Sequence, residues 1–94
     1  MSIKIAHYPD EERLDLTLAE TIDLSLSQQV IEAAQYVNEH LRVCIIDCSR
    51  VAYVFESGLA LMASLIEKMK KSGVEVILIG DAPGLNLDGL VESR

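Results

Sequence analysis

Aromatic residues are scarce in this 94-residue sequence, at 4% of the chain and with no Trp. Hydrophobic residues nevertheless make up 50% of it. Aliphatic side chains must therefore fill the core, and this balance favours an α/β sandwich over an all-β fold. The length predicts a single domain, spanning residues 1–94.

Cysteine is also rare, since Cys44 and Cys48 are the only two. On one strand they would lie about 13 Å apart, beyond the roughly 7 Å that a disulfide can bridge. We therefore expect two buried thiols in a reducing compartment. The N-terminus does not resemble a signal peptide, and no apolar run approaches the length of a membrane span. These features predict a cytoplasmic protein with no membrane span.

Basic residues are outnumbered, with 8 Lys and Arg against 15 Asp and Glu and a net charge of −7. Phosphate binding needs a basic surface, so nucleic acid is excluded as a partner. An acidic surface can instead steer the domain toward a basic protein.

Motifs for enzyme chemistry, cofactors and metals are not found. The sequence has no Walker A loop, no dinucleotide-binding glycine motif and no His-Glu-x-x-His. The nucleophile motif of serine hydrolases has Gly two residues before the serine, and for Ser57 that position is occupied by Phe55. Asp47, at the end of an apolar run, is either an acid–base group or a hydrogen-bond acceptor toward Ser49, and we favour the second. We predict no enzyme activity and no cofactor.

Alternating residues predict two N-terminal strands. "SIKIAHY" and "RLDLTL" place apolar and polar side chains on opposite faces, and the turn "PDEE" between them indicates a β-hairpin. Residues 21–26 are expected to form a loop. A helix is expected to start at Ser25 or Ser27, capped by that serine, and to carry its apolar stripe as far as Leu41.

The second half of the chain predicts a βαβ unit. "RVCIID" is apolar without alternation, as in a strand covered on both faces, and residues 48–55 are expected to be a connecting loop. A helix is predicted over 57–72 with Gly73 as its stop, and "VEVILIG" as a parallel strand after it. Any helix in the tail after residue 80 is expected to be short.

Ser57, like Asp47, has two competing interpretations. A serine that opens a helix is usually a cap. However, the first turn of a helix also presents free N–H groups and a positive dipole end, which would favour a phosphate on that hydroxyl.

The strand ending "IIDCS" and the segment "ESGLALMASLIEKMKKSGVEVILIG" resemble STAS domains, the anti-sigma factor antagonist family. The likeness runs from about residue 12 to residue 80. It implies a mixed sheet covered on one face by helices. It also implies docking on a serine kinase that doubles as an anti-sigma factor, which phosphorylates the domain and thereby breaks the complex.

The resemblance assigns the phosphoacceptor role to Ser57. Its signature is Asp-Ser-Ser-Gly-Leu or Asp-Thr-Ser-Gly-Leu, so Phe55 stands in place of the Asp and Glu56 in place of the first hydroxyl. The residues that it implies for partner binding are Asp47, Ser49, Phe55, Glu56, Ser57, Gly58 and Leu59. A STAS subunit that binds the ATPase of an ABC transporter, a small-ligand sensor and a homodimer remain open.

Overall fold

The computed structural model describes residues 3–80 and 92–93. In chain order these residues form β1 (Ile3–Tyr8), β2 (Arg13–Ile22), α1 (Ser27–Ala34), β3 (Val43–Val54), α2 (Glu56–Lys71), β4 (Glu75–Ile79) and β5 (Glu92–Ser93). Short 3-10 turns precede β2 and α1. The expectation of a short tail helix lies outside the described residues.

The strands form one mixed sheet in the order β1-β2-β3-β4-β5. β1 pairs with β2 in an antiparallel hairpin, whereas β2 with β3, β3 with β4 and β4 with β5 are parallel pairs. The hairpin and the βαβ unit of β3, α2 and β4 confirm the prediction from the sequence.

The helices cover one face of the sheet. Residues of β2 and β3 that point to this face are fully buried, and the set comprises Leu14, Leu16, Leu18, Cys44, Ile46 and Cys48. Val43 and Ile45, on the opposite face, are only half-buried. The prediction that β3 is covered on both faces is therefore wrong. The two cysteines are free and buried, as expected.

β3 is longer than the sequence suggests. Residues 48–54 continue the strand instead of forming a loop, because β2 also extends and pairs with them as far as Ile22 and Val54. Two register shifts in β3 place extra residues opposite β2. Such bulges obscure the period-2 pattern from which a strand is recognised.

α1 is shorter than expected, and its serines do not cap it. The helix ends at Ala34, where the next three N–H groups donate to carbonyls three residues back. Asn38 Oδ1 then accepts the N–H groups of His40 at 2.8 Å and Leu41 at 3.2 Å. This local turn competes with the helix. Leu41 still reaches the core, at 4% exposure.

α2 has the predicted apolar stripe. Met62, Leu65, Ile66 and Met69 are buried against the sheet. The helix runs to Lys71, and Gly73 follows in the left-handed conformation at φ 82°. Because Gly has no Cβ, this stop is the one expected from the sequence.

Candidate functional site

The candidate site lies where β2 and β3 end side by side. Ile22 and Val54 are the last residues of the paired strands, and the Phe55 N–H donates to the Ile22 carbonyl at 2.8 Å. α2 starts directly afterwards, at Glu56. The end of the strand ladder therefore sets the position of the first turn of α2.

Gly58 allows this turn to pack on the backbone of β2. A Cβ at Gly58 would lie 2.4 Å from both the carbonyl carbon and the carbonyl oxygen of Ile22, and 2.6 Å from the Asp23 nitrogen. No side chain fits at those distances. The glycine of the Ser-Gly-Leu sequence thus has a packing role, and it brings Ser57 close to Asp23 and the residues that follow it.

Asp23 orders the opposite side of the site. Its Oδ1 accepts hydrogen bonds from the Ser25 hydroxyl and from the Ser25 N–H, the latter at 2.9 Å. Both bonds lower the pKa of the Asp23 carboxyl, and the bond from the hydroxyl has the larger effect. Asp23 is not among the site residues predicted from the sequence, although its Asp-x-Ser spacing also occurs at Asp47.

These elements enclose a shallow open concavity of about 320 Å³, lined by Asp23, Leu24, Ser25, Phe55 and Ser57. Two of its apolar side chains are well exposed, Leu24 at 63% and Phe55 at 49%. The Phe55 ring also contacts the exposed Tyr53 ring, with centroids 4.7 Å apart and planes at 58°. The concavity and Tyr53 together are called the Phe55 surface below.

Phe55 occupies the N-cap position of α2. Its backbone is extended, at φ −89° and ψ 155°, and its side chain makes no capping hydrogen bond. Ser57 is consequently the second helical residue and not the N-cap, which corrects the expectation that the helix opens at this serine. The Asp of the STAS signature would be able to accept a first-turn N–H at position 55, whereas Phe cannot.

The predicted site residues from Phe55 to Leu59 divide into two groups. Phe55, Glu56 and Ser57 are exposed. Gly58 is buried, and Leu59 is half-buried against the core. The exposed group can contact a partner directly, whereas the other two residues hold the turn in place.

Asp47 and Ser49 do not line this concavity. Asp47 alternates with Ile46 and Cys48, so it lies on the sheet face opposite the helices. Its Oδ1 accepts the Ser49 hydroxyl at 2.6 Å and the Ser49 N–H at 2.9 Å, and these bonds lower the pKa of the Asp47 carboxyl. The predicted hydrogen bond toward Ser49 is confirmed. A role of the pair in partner binding stays a prediction.

Comparison with known proteins identifies this architecture. The family model described as STAS domain matches residues 5–85. The chain belongs to the STAS domain family. No curated protein sequence matches the chain significantly. STAS domains act through protein–protein interaction, which agrees with a site made of exposed apolar side chains around a hydroxyl.

Solved structures show the same fold at low sequence identity. An anti-sigma factor antagonist from Mycobacterium paratuberculosis has a TM-score of 0.73 and 16% identity, over 99% of this chain and 84% of that one. The unphosphorylated anti-sigma factor antagonist SpoIIAA has a TM-score of 0.70 and 14% identity, over 87% of this chain and 76% of that one.

A third similar structure is much larger than this STAS domain. Mglu has a TM-score of 0.67 and 20% identity, and the match covers 80% of this chain but 18% of Mglu. The fold therefore also occurs as a small part of a longer protein.

Within residues 3–80 and 92–93, no cluster of three His, Cys, Asp or Glu side chains has the arrangement of a metal site. In the same part of the chain, no helix is both long and apolar enough to span a membrane.

Proposed function

We propose that this STAS domain is a non-enzymatic, cytoplasmic binding module of the anti-sigma factor antagonist type. Its Phe55 surface docks on a serine kinase that acts as an anti-sigma factor. The observation that carries the proposal is the position of Ser57, exposed in the first turn of α2 beside the exposed side chains of Leu24 and Phe55.

Apolar contact supplies the affinity in this proposal. Aromatic side chains in the centre of an interface commonly account for much of the binding energy. Phe55 and Tyr53 already contact each other, so a partner would bury two rings with little further loss of side-chain freedom. The carboxylates of Asp23 and Glu56 beside them favour a basic partner surface.

Phosphorylation of Ser57 then releases the partner. The kinase transfers the γ-phosphoryl group of ATP to Ser57 Oγ, with loss of the hydroxyl proton and formation of ADP. A phosphate adds about −1.5 to −2 charges at neutral pH. It would lie beside the side chains of Leu24 and Phe55, where closing the apolar interface over it would carry a large desolvation cost, and the carboxylate of Asp23 would repel it. The apolar interface could then no longer close.

The test is to incubate the domain with its cognate serine kinase and ATP, and then to map phosphate by mass spectrometry. We expect one phosphate, on Ser57, and none on the Ser57→Ala variant. Calorimetry should show that the unphosphorylated domain binds the kinase and that the phosphorylated domain does not. Binding without phosphate would remove the switch and keep the docking function.

A second function is favoured by the aromatic residue at position 55. An exposed Phe55 in contact with Tyr53 suits a permanent contact, such as that of a STAS subunit on the ATPase of an ABC transporter. In that case Phe55→Ala should abolish ATPase binding, whereas Ser57→Glu should leave it nearly unchanged. The kinase hypothesis expects both variants to lose binding.

A further inference from the structure

β1 is an outermost strand of the sheet, and one of its two edges has no neighbouring strand. The strand order gives β1 a partner on the β2 side only. Among the described residues, no backbone hydrogen bond outside the β1–β2 ladder involves Ile3–Tyr8. N–H and C=O groups along this strand therefore point away from the sheet, in the direction in which another strand could pair with them.

This edge lacks most of the features that prevent pairing between sheets. Proteins commonly protect an edge strand with a bulge, a proline or several charges. The register of β1 on β2 is unbroken over all six residues, whereas the register of β2 on β3 shifts twice. The nearest proline, Pro9, comes after the end of the strand, and the strand contains a single Lys and no acidic residue. β1 is therefore regular enough to accept another strand.

The charges along this edge complement a second copy of the same edge, but in one direction only. Lys4 lies near the start of β1, and the acidic residues Asp10 and Glu11 lie in the turn that follows its end. Two antiparallel β1 strands bring the Lys4 of each copy toward the acidic turn of the other. Two parallel strands in register would instead place Lys4 opposite Lys4, and like charges that face each other are destabilising. The charges thus favour an antiparallel second copy.

Side-chain alternation restricts the register of such a pair. Ala6 pairs with Asp15, which lies on the sheet face without helices, so Lys4 and Tyr8 lie on that face too. The helix-covered faces of the two copies join only if residues of the same face stand opposite each other. A register with Ala6 opposite Ala6 satisfies this condition and places Lys4 opposite Tyr8. The Tyr8 ring is 41% exposed and already has the Arg13 guanidinium carbon 4.5 Å from its centroid, so it suits a cation.

We propose that β1 pairs antiparallel with β1 of a second copy of this chain, across a twofold axis between the two Ala6 residues. The two sheets then form one continuous sheet with a closed, symmetric interface. The Phe55 surface stays accessible in both copies, because it lies at the ends of β2 and β3 and not along β1. Contact between two single strands is small, so we expect a weak dimer with a dissociation constant in the micromolar range or above.

Sedimentation equilibrium of the complete 94-residue chain measures this association. We expect the average mass to rise with concentration, from that of one 10.4 kDa chain toward that of two. Lys4→Glu should weaken the dimer about five- to thirtyfold, because the twofold axis changes two charge contacts at once. Lys70→Glu, an exposed residue of α2, gives the same net charge and should have little effect. Asp10→Lys added to Lys4→Glu should restore most of the affinity.

Two cysteine variants test the direction and the register. Ala6→Cys should form a disulfide between copies under mild oxidation, since opposite residues of antiparallel strands have Cβ atoms about 4.5–5.5 Å apart. Lys4→Cys is the matched control, because its two thiols would lie four residues out of register, about 13 Å apart along the strands. The native Cys44 and Cys48 are buried and do not compete. A non-reducing gel should show a covalent dimer for Ala6→Cys and a monomer for Lys4→Cys.

A chain that stays monomeric at about 1 mM would overturn the inference, since micromolar to millimolar affinity is the range expected of so small an interface. Another protein on the edge of β1 would then be the remaining occupant. Equal cross-linking of the two cysteine variants would also overturn it, because parallel strands bring both positions together. The docking function has a separate readout. Phe55→Ala should form the dimer as the original chain does, and Lys4→Glu should still bind the kinase.

Discussion

Gly58 and Ile22 are in backbone contact, and a Cβ at Gly58 would lie 2.4 Å from the Ile22 carbonyl oxygen. The Gly58→Ala variant must therefore move α2 away from the end of β2. We expect a loss of about 1–3 kcal/mol in the free energy of unfolding, the usual cost of overpacking a closely packed position. Urea denaturation followed by circular dichroism measures this loss.

Ser57→Ala is the matched control for that variant, because it changes an exposed residue of the same helical turn. Its effect should stay within about 0.5 kcal/mol, as for most surface substitutions. A Gly58→Ala protein as stable as this control would contradict the close backbone contact between α2 and β2.

Phe55 leaves the N-cap of α2 without a side-chain acceptor, so Phe55→Ser should strengthen the helix. A serine that accepts a first-turn N–H contributes about 1 kcal/mol relative to alanine at such a position. We expect Phe55→Ser to have a higher melting temperature than Phe55→Ala, and both to lose affinity for the docking partner. Equal melting temperatures would show that α2 gains nothing from a cap at this position.

The Asp47–Ser49 hydrogen bonds should give a distinct pH dependence. They lower the pKa of the Asp47 carboxyl in the folded protein below its ordinary value of 3.8. The stabilisation is then present above that value and is lost as the pH falls through the folded pKa. Asp47→Asn should be less stable than the original chain at pH 7, and the difference should shrink below pH 3.8.

Denaturation of both proteins at several pH values between 2 and 7 measures that difference. The other carboxylates are present in both proteins, so their contributions to the free energy of unfolding cancel when the two are subtracted. Ser49→Ala provides the cross-check, because the Asp47→Asn effect should be smaller in its background. A difference that grows toward low pH would contradict the proposed role of the carboxylate.

The N-terminal hairpin and α2 could be predicted because their side chains repeat with a regular period. Leu14, Leu16 and Leu18 alternate, and the apolar residues of α2 follow its helical turn. The second half of β3 could not be predicted in this way, because two bulges interrupt its alternation where it pairs with β2. The end of α1 could not be found either, since it depends on the local bonds of Asn38, which compete with a good helical pattern.

The candidate site was predicted in part. The resemblance located Ser57, Gly58 and the departure at Phe55, all of which lie at the junction of β3 and α2. Asp23 and Leu24 were missed, because they come from a distant part of the sequence and reach Ser57 only through the close approach of α2 to Ile22. A contact made by tertiary packing leaves no periodic signal in the sequence.

Cys44 and Cys48 should resist thiol reagents in the folded protein. Burial raises the pKa of each thiol from 9.0 to about 12, with a smaller contribution from Asp15 for Cys44 and from Asp47 for Cys48. Because the thiolate is the reactive form, such a shift slows labelling at pH 8 by about a thousandfold before steric protection is counted. Reaction with dithionitrobenzoate should be very slow in buffer and release two equivalents in urea.

The same pKa values predict that stability falls at alkaline pH. Between pH 9 and about 12 the unfolded chain loses thiol protons that the folded chain keeps, so the free energy of unfolding decreases over this range. Cys48→Ala removes one of the two thiols and should flatten the decrease relative to the original chain. If native-state labelling were fast and independent of urea, the thiols would be open to solvent and both predictions would be wrong. If labelling instead accelerates with urea in step with unfolding, the cysteines report directly on opening of the core beneath α2.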